Sequence, residues 1–212
     1  MLQAQANRLC HLLSSPMPAR QILLIQGHPD AAADHFCHAL EAAYAEAAQA
    51  AGHRVQRITV ASLEFPLLRS EHDWQHGALP DALLPSQAAL KWAHHVVLFF
   101  PLWLGDMPAL LKGYLEQVAR PGFAFGAGEG QPLRQRALRG RSARVIVTMG
   151  MPAALYRWYF RARGVRALER SVLGVIGFDP VGETLIGLVG QLSPAKAQRW
   201  LARMAELGGR GA

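Results

Sequence analysis

The sequence "FFPLWLGDMPALLKGYLEQVARPGFAF", from Phe99 to Phe125, contains the residue pattern that decides the fold. An apolar run ends at a proline, a loop presents Trp103, and a helical pattern begins at Pro108. A proline in the first turn of a helix costs no hydrogen bond, because the first N–H groups of a helix have no partner within it. The stretch therefore predicts a buried strand, an apolar loop and a helix in succession.

The same order of strand, loop and helix recurs along the chain. Predicted strands cover residues 21–27, 53–60, 94–100, 142–150 and 180–189, and predicted helices cover residues 35–52, 82–93, 108–119, 165–177 and 193–207. Short apolar runs that end at glycine or proline are typical of strands buried on both faces. Five alternations of strand and helix predict an α/β fold, with one parallel sheet and helices on both of its faces.

The composition predicts one folded domain of ordinary size. The chain has 212 residues, of which 51% are hydrophobic and 17% are charged, and this content is typical of globular proteins. We expect a single domain at residues 21–208, preceded by a flexible leader at residues 1–20. Residues 121–142 are rich in Gly, Arg and Gln and are expected to form a loop insertion.

Cysteine usage and hydropathy indicate a soluble cytoplasmic protein. Cys10 and Cys37 show no metal-ligand or disulfide spacing, as expected in a reducing compartment. The longest apolar run, Val96 to Leu111, is interrupted by two prolines and Asp106 and is too short for a membrane span. We therefore expect no stable membrane insertion and no metal site.

The net charge is +7, and nearly all of the positive charge comes from arginine. Arginine binds phosphate and carboxylate groups through two parallel hydrogen bonds. The excess indicates an anionic ligand or a membrane surface, or it reflects a coding bias toward arginine. Patterns typical of RNA or DNA recognition are missing from the sequence, so we expect no nucleic-acid partner.

Three loops leave the carboxyl ends of predicted strands, where open parallel sheets bind their ligands. The first, "GHPDAAADHF", lacks the glycine-rich fingerprints of dinucleotide and nucleoside-triphosphate sites. It offers His28, His35 and a helix N-terminus, which together favour an anion such as phosphate. Asp34 is expected to cap that helix or to serve a ligand.

The other two loops combine apolar residues with free backbone. Trp103, in "PLWLGDMP", is expected to lie against a planar ring, or to be covered by a helix or a second subunit. Thr148 and Gly150 offer backbone N–H groups to the polar edge of a ring. Tyr156 donates a hydrogen bond to that ring or to a substrate, or is a half-buried structural aromatic. Because hydrolase patterns are missing, we expect a cofactor to carry the chemistry.

Three sequence blocks resemble the NAD(P)H:quinone oxidoreductase family, flavodoxin-like flavoenzymes that include quinone reductases and potassium-efflux ancillary proteins. The blocks are "GHPD…HFCHAL" at residues 27–40, "VVLFFPLWLGDMPALLKGYLEQVARPGFAF" at residues 96–125 and "VIVTMGMP…Y" at residues 145–156. The resemblance implies a doubly wound five-stranded sheet in the order 2-1-3-4-5, and a homodimer. It also implies bound FMN or FAD and two-electron transfer from NAD(P)H, through the flavin, to a quinone-like acceptor.

The resemblance also implies roles for individual residues. These are the phosphate contacts His28 and Phe36, the ring contacts Pro101, Leu102, Trp103 and Leu104, the polar-edge contacts Thr148, Met149, Gly150 and Met151, and the catalytic residue Tyr156. His35 of the first loop is a further candidate cofactor contact. The chain departs from the family where His35-Phe36-Cys37 replaces the usual Ser-Phe-Asn. That departure removes a hydroxyl and an amide from the phosphate loop. It keeps open the alternative of a regulatory or ancillary subunit of a cation-transport system, and a flavodoxin-like electron carrier is a further alternative.

Overall fold

The computed structural model describes residues 18–32, 34–124 and 137–212. Most of the expected leader at residues 1–20, with Cys10, lies outside the described residues. So does the centre of the expected loop insertion at residues 121–142, with Phe125. Both assignments therefore stay predictions.

Five parallel strands form one sheet in the order β2-β1-β3-β4-β5. The strands are β1 (Gln21–Gln26), β2 (Arg54–Thr59), β3 (His95–Pro101), β4 (Arg141–Thr148) and β5 (Phe178–Ile186). The predicted flavodoxin-like α/β fold is confirmed. Strand order reverses between β1 and β3, so the loops that follow these two strands border the crevice where this class of sheet binds ligands.

The described helices are α1 (Phe36–Ala50), α2 (Glu71–His76), α3 (Leu84–Trp92), α4 (Ala109–Val118), α5 (Ala153–Trp158), α6 (Arg163–Ala167), α7 (Gly174–Ile176) and α8 (Pro194–Arg210). A π-helical segment, Leu168–Leu173, joins α6 to α7. Single 3₁₀ turns lie at Val60–Ser62, Asp81–Leu83 and Val189–Gln191.

Apolar side chains fill both faces of the sheet. Neighbouring residues of a strand point to opposite faces, so Leu23 and Leu98 join one buried cluster while Leu24 and Phe99 join the other. The first cluster includes residues of α3, α4 and α6, and the second includes residues of α1 and α8. Burial on both faces explains why all seven residues of β3 are buried.

The start of α1 differs from the expectation. His35, not Asp34, is the N-cap residue, and it makes no side-chain capping bond. The Asp34 carboxylate lies 3.9 Å from His35 Nε2, and its side chain is 87% exposed. The expected capping role of Asp34 is therefore wrong, because the helix begins two residues after it.

Two short helices, α2 and α5, were not expected from the sequence. The start of α2 carries a recognisable signal, since the Ser70 hydroxyl accepts a bond from Asp73 N at 3.0 Å and donates to Asp73 Oδ2 at 2.6 Å. Such reciprocal pairing at a spacing of three residues resembles a capping box. Near the other end of the chain, Ser193 caps α8, because its hydroxyl accepts from Lys196 N at 3.4 Å.

A buried histidine makes the fold sensitive to acid. His95 is 3% exposed, its Nδ1 lies 2.8 Å from Ser142 Oγ, and its Nε2 has no hydrogen-bond partner among the described residues. Burial, followed by the positive charges of Arg20 and Arg144, lowers the pKa of His95 to about 3. The imidazole is therefore neutral in the folded protein.

We expect the free energy of unfolding to fall as the pH drops from about 6.5, the ordinary histidine pKa, towards 3. Over that window the unfolded chain binds a proton that folded His95 does not, which costs up to about 1.4 kcal/mol per pH unit. Urea unfolding at pH 7, 6 and 5 measures this free energy. It should depend less on pH in His95→Gln than in the unchanged protein, because glutamine binds no proton. Equal pH dependence in both proteins would contradict this account.

Candidate functional site

Three loops meet at the carboxyl edge of the sheet, as expected. Register pairs Gln26 with Phe99 and Pro101 with Thr148, so β1, β3 and β4 end side by side. Leu102 N donates to Thr148 O at 2.7 Å and joins the second loop to the third. The first and second loops meet where the rings of His28 and Trp103 lie edge to face, with centroids 6.5 Å apart.

The first loop holds a histidine cluster, His28, His35 and His38. His28 is 8% exposed and stacks on His35 with a centroid separation of 4.0 Å. The ring centroid of His38 lies 5.4 Å from that of His28 and 6.0 Å from that of His35. Sequence reasoning missed His38, although its spacing of three residues from His35 places both on one face of a helix start.

Asp30 orders the histidine cluster. Its carboxylate lies 2.8 Å from His35 Nε2, and its carbonyl oxygen lies 3.0 Å from His28 Nδ1 and from His38 Nε2. The hydrogen bond from His35 lowers the pKa of Asp30. Burial, followed by the charge of His35, lowers the pKa of His28. His28 is therefore poised to gain a proton when a negative charge arrives beside it.

The N-terminus of α1 lies beside the histidine cluster and is open to an anion. Among the described residues, no side chain caps it, and its first turn contains no acidic residue. A helix of 15 residues directs a partial positive charge and unpaired N–H groups at this end. Phe36, the first residue of α1, is half-buried and packs against the core cluster that contains α1.

The second loop is a tight turn with an exposed apolar tip. Trp103 and Asp106 exchange backbone hydrogen bonds of 2.9 and 3.0 Å, and between them Leu104 and Gly105 both have positive φ, at 50° and 85°. Two positive values in a two-residue turn are typical of type I′. Trp103 is 52% exposed and Leu104 fully exposed, whereas Pro101 is buried and Leu102 half-buried.

Leu104→Asn should raise the free energy of unfolding by about 0.5–1 kcal/mol. Asparagine tolerates the left-handed conformation that strains leucine, and the exposed Leu104 side chain has no packing to lose. Thermal or urea unfolding measures the gain. Leu84→Asn is the control, since Leu84 is 53% exposed in a regular helix and should gain nothing. A lower free energy of unfolding in Leu104→Asn would contradict the claim that the backbone at Leu104 is strained.

Of the four ring-edge contacts predicted on the third loop, two are buried and two reach the surface. Thr148 and Met149 are buried, whereas Gly150 is exposed and Met151 half-buried. A side chain added at Gly150 would meet open space. Neither the Gly150 nor the Met151 N–H donates to an acceptor within the part of the chain that the structure describes. These two residues therefore offer hydrogen-bond donors at an open surface.

Tyr156 is buried beneath these loops, with 1% of its surface exposed. Its hydroxyl donates to Gly105 O at 3.0 Å and accepts from Val165 N at 3.3 Å. Burial raises the pKa of this phenol. In this structure Tyr156 thus holds the second loop against α6, and its catalytic role stays a prediction.

Two concave regions differ in their relation to the loops. A cavity of about 410 Å³ is lined by Gly105, Tyr156, Tyr159, Phe160 and Arg163, and it adjoins the second loop. A larger groove of about 540 Å³ lies between residues of α2, α4 and the π-helical segment, and it contains none of the predicted site residues. The smaller cavity is the relevant one, because the backbone of the candidate site forms part of its wall.

The described residues form neither a membrane-spanning helix nor a cluster of metal ligands. None of the described helices has the length and apolar character needed to cross a membrane. Within residues 18–32, 34–124 and 137–212, no group of three or more His, Cys, Asp and Glu side chains is arranged to hold a metal ion.

Comparison with known proteins supplies one family and several relatives. A family model described as a flavodoxin-like fold matches residues 20–207. The ribosyldihydronicotinamide dehydrogenase-like protein traD of Penicillium crustosum is 34% identical over 110 residues, covering 49% of this chain and 40% of that protein. The glutathione-regulated potassium-efflux system ancillary protein KefG of Escherichia coli is 38% identical over 76 residues, covering 35% and 38%. The alignments thus span about two fifths of these relatives' lengths.

Solved structures share the fold at low sequence identity. The NAD(P)H:quinone oxidoreductase from Methanothermobacter marburgensis has a TM-score of 0.74 at 18% identity, covering 91% of this chain and 96% of that one. The FMN-dependent NADH-azoreductase from Bacillus anthracis, solved in complex with FMN, has a TM-score of 0.71 at 17% identity and covers 91% and 99%. At these identities the likeness establishes the fold.

Proposed function

Because the chain belongs to the family with the flavodoxin-like fold that matches residues 20–207, we propose that it is a flavin-dependent NAD(P)H oxidoreductase. It transfers two electrons from a nicotinamide to a quinone-like acceptor. The observation that carries the proposal is the arrangement of the three loops. His28 and the N-terminus of α1 form an anion-binding region beside the apolar turn at Trp103. The open N–H groups of Gly150 and Met151 lie on the third loop at the same edge of the sheet.

The donors at this edge fit FMN. His28, His35 and the first-turn N–H groups of α1 would hold a phosphate, which would compete with the Asp30 carboxylate for His35. Leu102, Trp103 and Leu104 would cover a planar ring. Gly150 and Met151 would donate hydrogen bonds to its polar edge. An azoreductase of the same fold is named for FMN and was solved in complex with it, which supports FMN over FAD.

The flavin, when bound, supplies the redox chemistry, since it can accept a hydride from a nicotinamide and pass two electrons to a quinone. The residues of this chain contribute position and exclusion of water. Tyr156 fixes the turn of the second loop through the Gly105 carbonyl, which sets where Trp103 and Leu104 lie. Rigid placement of this kind is what hydride transfer needs from a protein.

The test is steady-state oxidation of NADH and NADPH by protein reconstituted with FMN, with a water-soluble quinone as the acceptor. We expect quinone-dependent oxidation that is lost when the flavin is removed. Protein that retains bound flavin but oxidises neither nucleotide with any quinone would overturn the proposal.

The similarity to KefG favours one alternative, a regulatory or ancillary subunit of a cation-transport system. The replacement of the usual Ser-Phe-Asn by His35-Phe36-Cys37 also motivates it. The two functions separate in a deletion strain: lost potassium efflux with normal quinone reduction supports the ancillary function, and the reverse supports the oxidoreductase.

The homodimer and the cytoplasmic location stay predictions. The resemblance to flavodoxin-like quinone reductases supports a dimer, and sedimentation equilibrium would measure it directly. Cell fractionation with an antibody against the chain would test the location.

A further inference from the structure

An apolar face projects outward from α5 and the turn that follows it. Leu155, Trp158 and Tyr159 are 45%, 78% and 76% exposed, and Phe160 is 44% exposed. Spacings of three and four residues place Leu155, Trp158 and Tyr159 on one side of the helical turn. The Tyr159 and Phe160 rings are in edge-to-face contact at 5.0 Å. Exposed apolar surface of this extent marks a site of interaction.

Buried residues of the same segment anchor this face to the protein. Tyr156 and Ala162 are buried, and Ala162 N donates to Tyr156 O at 3.0 Å. Arg161 and Ala162 both adopt the left-handed conformation, with φ of 58° and 48°. Two consecutive residues other than glycine in this conformation store strain, and strain of this kind clusters at functional segments. The fold thus orders a turn that keeps its aromatic side chains in solvent.

The same segment is positively charged. Residues 155–166, hereafter the aromatic–arginine face, contain exposed Arg157, Arg161, Arg163 and Arg166 and no Asp or Glu. From the neighbouring strand β5, Glu183 pairs with Arg157 at 2.6 Å. Salt bridges between described residues engage none of the other three arginines. Aromatic residues among arginines are typical of surfaces that meet the headgroup region of a membrane.

We propose that the aromatic–arginine face binds the surface of an anionic lipid bilayer. Trp158 and Tyr159 enter the headgroup region, and the arginines bind lipid phosphates. A two-fold contact centred on this face would press the same surface of both subunits together. It would bring eight arginines into one interface, where salt bridges between described residues pair Arg157 of each copy with Glu183 and engage none of the other six. Like charges brought together in this way disfavour association.

Lipid binding would place the 410 Å³ cavity at the membrane surface, since Tyr159, Phe160 and Arg163 line it together with Gly105 of the candidate site. A lipid-soluble quinone would then reach the site from the bilayer rather than from water. This consequence rests on the proposed oxidoreductase function, whereas the binding of lipid does not.

The experiment is co-sedimentation of the full-length protein with vesicles of phosphatidylglycerol and phosphatidylcholine, compared with pure phosphatidylcholine. We expect binding to the anionic vesicles that weakens at high salt, because dissolved ions shorten the Debye length and screen the attraction between the arginines and the lipid phosphates. Each arginine near the surface should be worth about fivefold in affinity, so Arg161→Asn with Arg166→Gln should weaken binding about 25-fold. Trp158→Ser should weaken it several-fold.

Two controls share the chemistry but lie elsewhere. Leu84→Ser removes an exposed apolar side chain from α3, and Arg199→Gln removes an exposed charge from α8, on the opposite face of the sheet; both should bind like the unchanged protein. Absence of binding to anionic vesicles, or equal binding by the face variants and the controls, overturns the proposal. Conversion of a dimer to a monomer by Trp158→Ser also overturns it, since a second copy then covers the face. Vesicle binding needs no flavin, so its failure leaves the oxidoreductase proposal intact.

Discussion

FMN is expected to bind at least about 100-fold more tightly than riboflavin, which lacks the phosphate. Hydrogen bonds to a charged group contribute about 1.5–3 kcal/mol each, and two of them from His28, His35 or the N-terminus of α1 account for a factor of that size. Quenching of flavin fluorescence on titration with apoprotein measures both affinities. His28→Ala should weaken FMN at least about tenfold and leave riboflavin unchanged. His72→Ala, in exposed α2, is the control.

The preference for FMN should increase as the pH falls from 8 to 6. The pKa of His28 is lowered in the free protein by burial and by the charge of His35, and a bound phosphate dianion raises it again. Binding therefore takes up a proton between the lower and the higher pKa, and each proton taken up changes the affinity up to about tenfold per pH unit.

His35→Ser replaces the imidazole with a hydroxyl at the start of α1. FMN should still bind more tightly than riboflavin, because a hydroxyl can also donate a hydrogen bond to the phosphate. Equal affinity for FMN and riboflavin at every pH would contradict the phosphate site.

Gly187→Ala should lower the free energy of unfolding by about 1–3 kcal/mol, the usual cost of overpacking, and weaken FMN at least about tenfold. A Cβ at Gly187 would lie 2.7 Å from Met151 O and closer still to Ala153 N. These are backbone atoms of the third loop and of the first residue of α5, and they cannot rotate away as a side chain can. The loop must therefore move.

Hydrogen bonds explain why this movement reaches the site. Leu188 N donates to Met151 O and Val189 N donates to Met149 O, both at 3.2 Å, so displacement of this segment carries the Gly150 and Met151 N–H groups with it. Gly190→Ala is the matched control, because an added Cβ there meets nothing within 4 Å. Urea unfolding and FMN titration of both variants give the comparison. Equal stability and equal FMN affinity in the two variants would contradict a role of the third loop in FMN binding.

The fold could be predicted from the sequence because the clearest patterns, the continuous apolar runs, reflect burial of whole strands inside the sheet. The apolar run at Val96–Phe100 is continuous because both faces of β3 are buried, and a strand with that property belongs in the interior of a parallel sheet. The strand order and the membership of the family are confirmed. The expected cap at Asp34 was wrong because α1 begins two residues after it, and the short helices α2 and α5 were not predicted.

The site was predicted less completely, because side-chain contacts between loops have no local pattern. The sequence identified His28 and Trp103 but not that their rings meet, and it missed His38. It indicated that Tyr156 faces a ligand or packs as a half-buried aromatic, and the structure places its hydroxyl on the Gly105 carbonyl. The strained turn at Leu104 and the outward aromatic residues after Tyr156 depend on backbone conformations that residue type disfavours, so propensity does not predict them.

The most direct test of the proposed function is the visible absorbance of the protein reconstituted with FMN, recorded without oxygen before and after addition of NADPH or NADH. We predict that flavin absorbance is lost on addition of a nucleotide and returns when a water-soluble quinone is added. Bound flavin whose absorbance is unchanged by either nucleotide would contradict the assignment as an NAD(P)H oxidoreductase.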